Sequence, residues 1–215
     1  MNLRIGPWLL VGLVAFALGG WYALSPRGGS DGPVTGSGDE PIGGYVLDEP
    51  RSLPVFELVD EQGRAFTRED FQGHWSVLYF GFTYCPDICP SAMSVMAQVR
   101  TELAQAEGLD DRYYLVSVDP DRDTPQRLAE YVTYFHPEFR GLTGSFDQLD
   151  VITRAAGAVY KVPEAPADDD YLVAHSSTLT VIDPQGRVHA IFTSPFDPEA
   201  IARRIAALGA ADAGA

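Results

Sequence analysis

Cysteine and lysine are almost absent from this chain, and positive charge is scarce throughout. Two cysteines, a single lysine (Lys161) and a formal net charge of −15 over 215 residues leave little with which to neutralise phosphates. Nucleic-acid binding and broad adsorption to anionic lipid are excluded on that ground, since both rest on clustered Lys and Arg. An acidic surface is compatible with a metal cation or a basic partner, although most such charge is simply solvated. Two cysteines are too few for a disulfide scaffold. A lone structural disulfide, a redox pair or a metal site remain. No internal repeat is apparent, and the 46% of hydrophobic residues is enough for one ordinary core.

The longest run without charge is Gly6 to Leu24, GPWLLVGLVAFALGGWYAL, about long enough to cross a bilayer as a helix. It predicts a membrane anchor over residues 1–24. A cleaved signal peptide is the rival, with Ala15 and Ala17 as the small pair, but cutting there would expose Leu18 to Leu24. Trp8, Trp21 and Tyr22 stand near the two ends, where aromatic rings suit the headgroup level. Arg4 and the terminal amine lie before the run, and only Arg27 follows before Asp31, Asp39 and Glu40. That bias predicts a single pass through the cytoplasmic (inner) membrane, with the C-terminal domain on the periplasmic or extracytoplasmic side. Residues 25–50, rich in Gly, Ser, Pro and Asp, read as a flexible linker. Residues 51–209 read as the folded domain and 210–215 as a frayed tail.

Within the domain, short apolar runs alternate with helical stretches, as in an α/β protein. Val55–Asp60 predicts a strand. Trp75–Phe82, WSVLYFGF, is uncharged, β-branched and aromatic, as a central strand buried on both faces would be. Met93, Met96, Val99 and Leu103 recur at helical spacing, and Tyr113–Val118 predicts a second buried strand. Asp123 or Thr124 before Pro125 signals a helix start. Phe146–Ala156 reads as a weaker helix, Leu179–Asp183 and Arg187–Phe192 as a hairpin, and Asp197–Leu208 as a closing helix. The order predicts a thioredoxin-like fold with a central mixed sheet flanked by helices, an analogy that fixes no chemistry by itself.

Both cysteines fall in FGFTYCPDICP, between the central strand and the first helix. A helical first turn would project Cys85 and Cys89, an i, i+4 pair, to one side. Helix amides favour the thiolate there while Asp87 opposes it, which leaves the direction of the thiol shift open. Two soft thiolates suit Cu(I), and an added imidazole suits Cu(II) as well. Zinc wants four ligands, which no second cysteine pair or closely spaced histidine pair supplies. Copper, or a dithiol and disulfide cycle, remains. Of the four histidines, His74 precedes the central strand at its far end. His136 ends a helix, where a cationic ring suits the dipole, and His189 is expected to face solvent in the hairpin. His175 enters the hairpin from a loop that a thioredoxin-like layout packs beside the cysteines, which gives it a slight advantage.

YFGFTYCPDICP, followed in order by VSVDPDRDTP, GLTG and YLVAHSSTLTVIDPQG, resembles the Sco/SenC family of membrane-anchored copper proteins. The likeness covers about Phe56 to Phe192. It implies a copper-binding chaperone rather than an enzyme, with Cys85, Cys89 and His175 as ligands for Cu(I) and also Cu(II). It implies a role at the copper or partner face for Asp119 and Asp123, for which turn formation and helix capping are equally good readings. It also implies the copper domain of cytochrome c oxidase subunit II as partner, a copper donor chaperone upstream, and either copper delivery or reduction of the target's cysteines as the act. A thiol:disulfide oxidoreductase acting on exported proteins is the main rival. Its usual C-x-x-C spacing and later proline are missing, and His175 stands about where that proline is expected. A peroxiredoxin would place Thr three residues before its reactive cysteine, whereas Thr83 is two before Cys85.

Overall fold

The computed structural model describes residues 34–35, 41–105, 109–163 and 171–213. Eight strands form one mixed sheet: β1 (Gly44–Ser52), β2 (Glu57–Asp60), β3 (Ala65–Thr67), β4 (Trp75–Gly81), β5 (Asp111–Ser117), β6 (Arg140–Thr143), β9 (Thr178–Ile182) and β10 (Arg187–Thr193). Outside it are two short antiparallel pairs: Val34–Thr35 with Pro41–Ile42, and β7 (Tyr160–Lys161) with β8 (Ala174–His175). Across the sheet the order is β1-β10-β9-β4-β5-β6-β2-β3. β4, β5 and β6 run parallel, and every other neighbouring pair is antiparallel. The helices are α1 (Ile88–Leu103), α2 (Pro125–Phe135), α3 (Phe146–Ala155) and α4 (Pro198–Ala213). This is a thioredoxin-like α/β arrangement.

β4 is buried at every position, as its uncharged sequence predicts for a strand with neighbours on both edges and packing on both faces. α1 buries Ala92, Met93, Met96, Val99 and Leu103 along one stripe and packs against α4. α2 starts where Thr124 Oγ1 accepts from Arg127 N, with Pro125 in its first turn, so Thr124 is the cap and Asp123 is left for other partners. Because β4 and β5 are parallel and in register from Trp75/Asp111 to Gly81/Ser117, both end at the same edge. The loops that leave them therefore emerge side by side.

Two boundaries differ from the sequence expectation. Residues 44–50, assigned to the linker by composition, belong to β1, which pairs Tyr45 with Ile191 and Val46 with Ala190. Val46 and Leu47 pack against the core, and Gly44, at φ 123°, would bring a Cβ within 2.2 Å of the Ile191 carbonyl oxygen, so only glycine fits there. At the other end α4 continues to Ala213, beyond the predicted stop at Leu208. The expected anchor over 1–24 lies outside the described residues, as does most of the linker. Among the described residues no helix is long and apolar enough to cross a membrane.

Candidate metal centre

The site lies where β4 and β5 end. Gly81 closes β4, and a Cβ on it would meet Cys89 Sγ and Tyr79 Cε1 at 2.9 Å each. The absence of a side chain at Gly81 therefore lets the second cysteine approach the strand. The helix begins at Ile88, so Cys85 lies in the turn before it rather than in its first turn. Pro86 and the unusual backbone of Asp87 (φ −137°, ψ −69°) redirect the chain between the two thiols. Both cysteines are free; Cys89 is fully buried and Cys85 nearly so.

His175 reaches the same spot from the far side of the chain. Its Nε2 lies 3.3 Å from Cys89 Sγ, and its Nδ1 is 3.1 Å from the Ser176 carbonyl oxygen. A carbonyl can only accept, which assigns the proton to Nδ1 and leaves the Nε2 lone pair facing the sulfur. Phe82 and Tyr79 present ring edges to the imidazole at centroid distances of 5.8 Å each. The ligating atoms of Cys85, Cys89 and His175 all lie within 4.8 Å of one another. That is about the span of two metal–ligand bonds, which are about 2.0 to 2.3 Å each for nitrogen and sulfur on zinc. No other such cluster occurs among the described residues.

Burial decides the protonation states. It pushes the Cys89 thiol well above the ordinary range, and the neighbouring Cys85 adds to this against a backbone hydrogen bond from Phe82. The competition expected between helix amides and Asp87 is thus overtaken by desolvation; Asp87 itself is exposed. Burial also pushes His175 down, against its hydrogen bond to Ser176, so the ring is neutral at pH 7 and able to act as a ligand. Two sulfurs and one neutral imidazole form a soft, three-donor set fit for copper in either common state, and one donor short of a structural zinc site.

Asp119 and Asp123 are fully buried, so neither carboxylate is offered to a partner's surface, and neither joins the three converging donors. They hold the loops instead. Asp123 Oδ2 accepts from Thr83 N at 2.9 Å and Ser117 Oγ at 2.5 Å, and Oδ1 accepts from Thr83 Oγ1 at 2.5 Å. Asp119 accepts from Arg122 Nε at 2.7 Å and from the Tyr171 hydroxyl at 2.8 Å. Thr83, Ser117, Arg122 and Tyr171 lie within the motifs quoted above, but no local pattern singles them out from their neighbours there. Gly81 carries one: a glycine ending an otherwise bulky strand.

The other histidines stay away. His74 sits by the Tyr114 hydroxyl at 3.4 Å, at the opposite end of β4 as expected. His136 caps α2, but burial and Arg100, whose Nε donates to His136 Nε2 at 3.4 Å, push its pKa down; the cationic ring expected at the helix end is disfavoured. His189 does not face solvent. It is largely covered, between the Trp75 ring, 5.5 Å away, and Asp183 Oδ2, 3.6 Å away.

The SCO1/SenC family model matches residues 47–210. The bovine mitochondrial protein SCO2 homolog is 42% identical over 132 residues, covering 61% of this chain and 50% of that protein; the chain thus spans about half the length of this relative. An SCO2-like protein of Rickettsia felis is 37% identical over 167 residues, covering 76% of this chain and 81% of the other. The crystal structure of Arabidopsis thaliana ScoI with copper bound superimposes with a TM-score of 0.66 at 34% identity, over 71% of this chain and 94% of that one. The chain belongs to the SCO1/SenC family.

Proposed function

We propose that this protein is a membrane-tethered chaperone that binds copper as cargo through Cys85, Cys89 and His175 and hands it to the dinuclear copper site of cytochrome c oxidase during assembly. The observation that carries this reading is the convergence of two thiols and a neutral imidazole, 86 positions apart between Cys89 and His175. A copper donor chaperone supplies the ion, and the copper domain of oxidase subunit II receives it. Residues 1–24 anchor the chain in the cytoplasmic membrane, and the stretch that follows them tethers the domain on the far side.

The chain's own residues account for loading and release. With no ion present the buried Cys89 keeps its proton, so uptake of Cu(I) displaces that proton to solvent. His175 Nε2 faces the ion without further tautomer change, because Nδ1–H is held by Ser176. A partner with comparable soft ligands takes the ion by stepwise exchange, entering from the side of Cys85, the less buried thiol. Oxidation to a Cys85–Cys89 disulfide, by thiol–disulfide exchange in which two electrons and two protons pass to a disulfide of the target and leave it as two thiols, removes both sulfur donors at once. The two free thiols side by side also support reduction of the target's cysteines as a second act of the same site.

Anaerobic Cu(I) titration of the parent beside Cys85→Ala, Cys89→Ala and His175→Ala tests the assignment. Either cysteine change should abolish tight binding. His175→Ala should weaken it and alter the Cu(II) spectrum most. Full binding in a cysteine variant refutes the site. Passage of copper to an oxidase copper-domain fragment, against cysteine reduction of that fragment without transfer, separates the two acts.

A further inference from the structure

The segment that carries His175 has little regular structure to fix it. β8 is two residues long and pairs only with the two residues of β7, and a ladder so short is marginal alone. Just after His175, Ser176 N donates to the Val159 carbonyl oxygen at 2.9 Å, and Val159 N donates to Ser176 Oγ at 2.7 Å. Before it, Tyr171 to Val173 form no strand or helix; Val173 is buried in the core, and the polar contacts of this side converge on Arg122.

The Arg122 side chain is 7% exposed and ion-paired through its NH2 nitrogen to Asp119 Oδ2 at 2.6 Å. The same nitrogen donates to the Tyr171 carbonyl oxygen at 2.9 Å. The guanidinium lies 3.5 Å from the Tyr171 ring centroid, 4.7 Å from Tyr84 and 5.7 Å from Phe82. Tyr84 precedes Cys85 directly, and Phe82 presents its ring to His175. The Tyr171 hydroxyl closes the ring on Asp119 Oδ1 at 2.8 Å. One planar cation thus touches the cysteine turn, the turn after β5 and the approach to His175. A buried ion pair roughly breaks even in stability, whereas the arginine fork and its stacking fix direction.

We propose that Arg122 is a positioning residue that clasps the His175 segment to the cysteine turn, through Asp119 and Tyr171 on one side and Tyr84 on the other. This rests on the copper reading for its consequence, but not for its geometry. Without the clasp the two sulfurs still meet, because Asp123 and α1 hold their turn; the imidazole no longer stays beside them.

The test uses the paired variant Asp119→Asn/Arg122→Gln, which removes both charges together, with Arg122→Lys and Tyr171→Phe as milder changes. In the metal-free protein, NMR cross-relaxation between the His175 ring and the Phe82 ring should be strong in the parent. It should be lost in the paired variant and reduced in the milder ones. With copper, the His175-dependent Cu(II) signal should weaken about tenfold in affinity, the scale seen for supporting contacts around metal ligands. Adding His175→Ala to the paired variant should then cost nothing more. If the paired variant does not fold, Arg122→Lys and Tyr171→Phe give the same readouts. Ring contacts that persist in every folded variant overturn the clasp, even if copper binds; so does a full His175→Ala penalty in its absence. A parent that binds no copper, with contacts that vanish in the variants, leaves the clasp standing and overturns the copper reading.

Discussion

Two buried aspartates at opposite ends of the sheet are both pushed up by desolvation, yet their carboxyls shift in opposite directions. Asp183, in the turn between β9 and β10, is pushed up by burial, but the His189 ring 3.6 Å away and hydrogen bonds from Arg187 Nε and backbone nitrogen outweigh it and hold the carboxyl below 3.8. Asp123, after β5, is likewise pushed up by burial, and the Ser117 and Thr83 bonds that oppose it are neutral donors; Asp119 adds repulsion, so the shift stays upward. Arg127 comes only to 3.9 Å. The difference lies in reach. Asp183 binds residues two to six positions away and closes a turn, whereas Asp123 reaches Thr83 forty positions back and ties one functional loop to another. The first brace serves the fold and the second serves the site.

The largest effect that follows is at the far end. Asp183→Ala should cost about 3 kcal/mol in urea unfolding, since it strands the amides of Gln185 and Arg187 and unpairs a half-covered arginine. Copper binding per folded molecule should not change. Acid sharpens the contrast. Asp183 has its folded pKa below the unfolded value, so the stability it contributes is present above 3.8 and is lost as pH falls through the depressed value. Asp123 has its folded pKa raised, so its contribution is present below 3.8 and is lost as pH rises through the folded value. Between about pH 5 and 3, Asp183→Asn should flatten the loss of stability and Asp123→Asn should steepen it. Equal slopes would mean that the two carboxylates share one environment.

The same division explains what could be read in the sequence. β4 was legible because a strand buried on both faces must be apolar throughout, and the hairpin because alternation and the Pro184-Gln185-Gly186 turn are local. The convergence of Cys85, Cys89 and His175 was legible by motif order, and the part of His175 in it by its place before that hairpin. β1 was not, because a half-exposed edge strand needs only Val46 and Leu47 against the core, and its neighbours Asp48, Glu49 and Pro50 carry the composition of a linker. The thiol shift was not legible either, since helix amides and Asp87 are visible in sequence and burial is not. Arg122 gave no signal because its contacts with Tyr84 and Tyr171 span 38 and 49 positions.

A pair of glycines gives an effect of middle size. Ala at Gly81 would press Cys89 Sγ and the Tyr79 ring at 2.9 Å, and Ala at Gly141 would press Leu128 Cβ at 2.7 Å. Each overpacks the interior and should cost about 1 to 3 kcal/mol. Only Gly81→Ala should also weaken Cu(I) binding, because only there is the displaced atom a ligand. Equal copper affinity in the two variants would show that Cys89 has room to retreat without leaving the site.

The smallest effect isolates capping from bracing beside the site. Thr124 Oγ1 accepts from Arg127 N at 3.3 Å, a long bond, so Thr124→Ala should cost about 0.5 to 1 kcal/mol, the low end for a lost cap. Arg127 also donates through Nε to Thr83 Oγ1 at 2.5 Å and stacks 3.9 Å from the Tyr84 ring, contacts that do not pass through the cap. Loosening the first turn of α2 should therefore leave the cysteine turn in place and the Cu(II) spectrum unchanged. A spectral change as large as that of His175→Ala would mean that the start of α2, rather than the buried carboxylates before it, sets the geometry of the copper ligands.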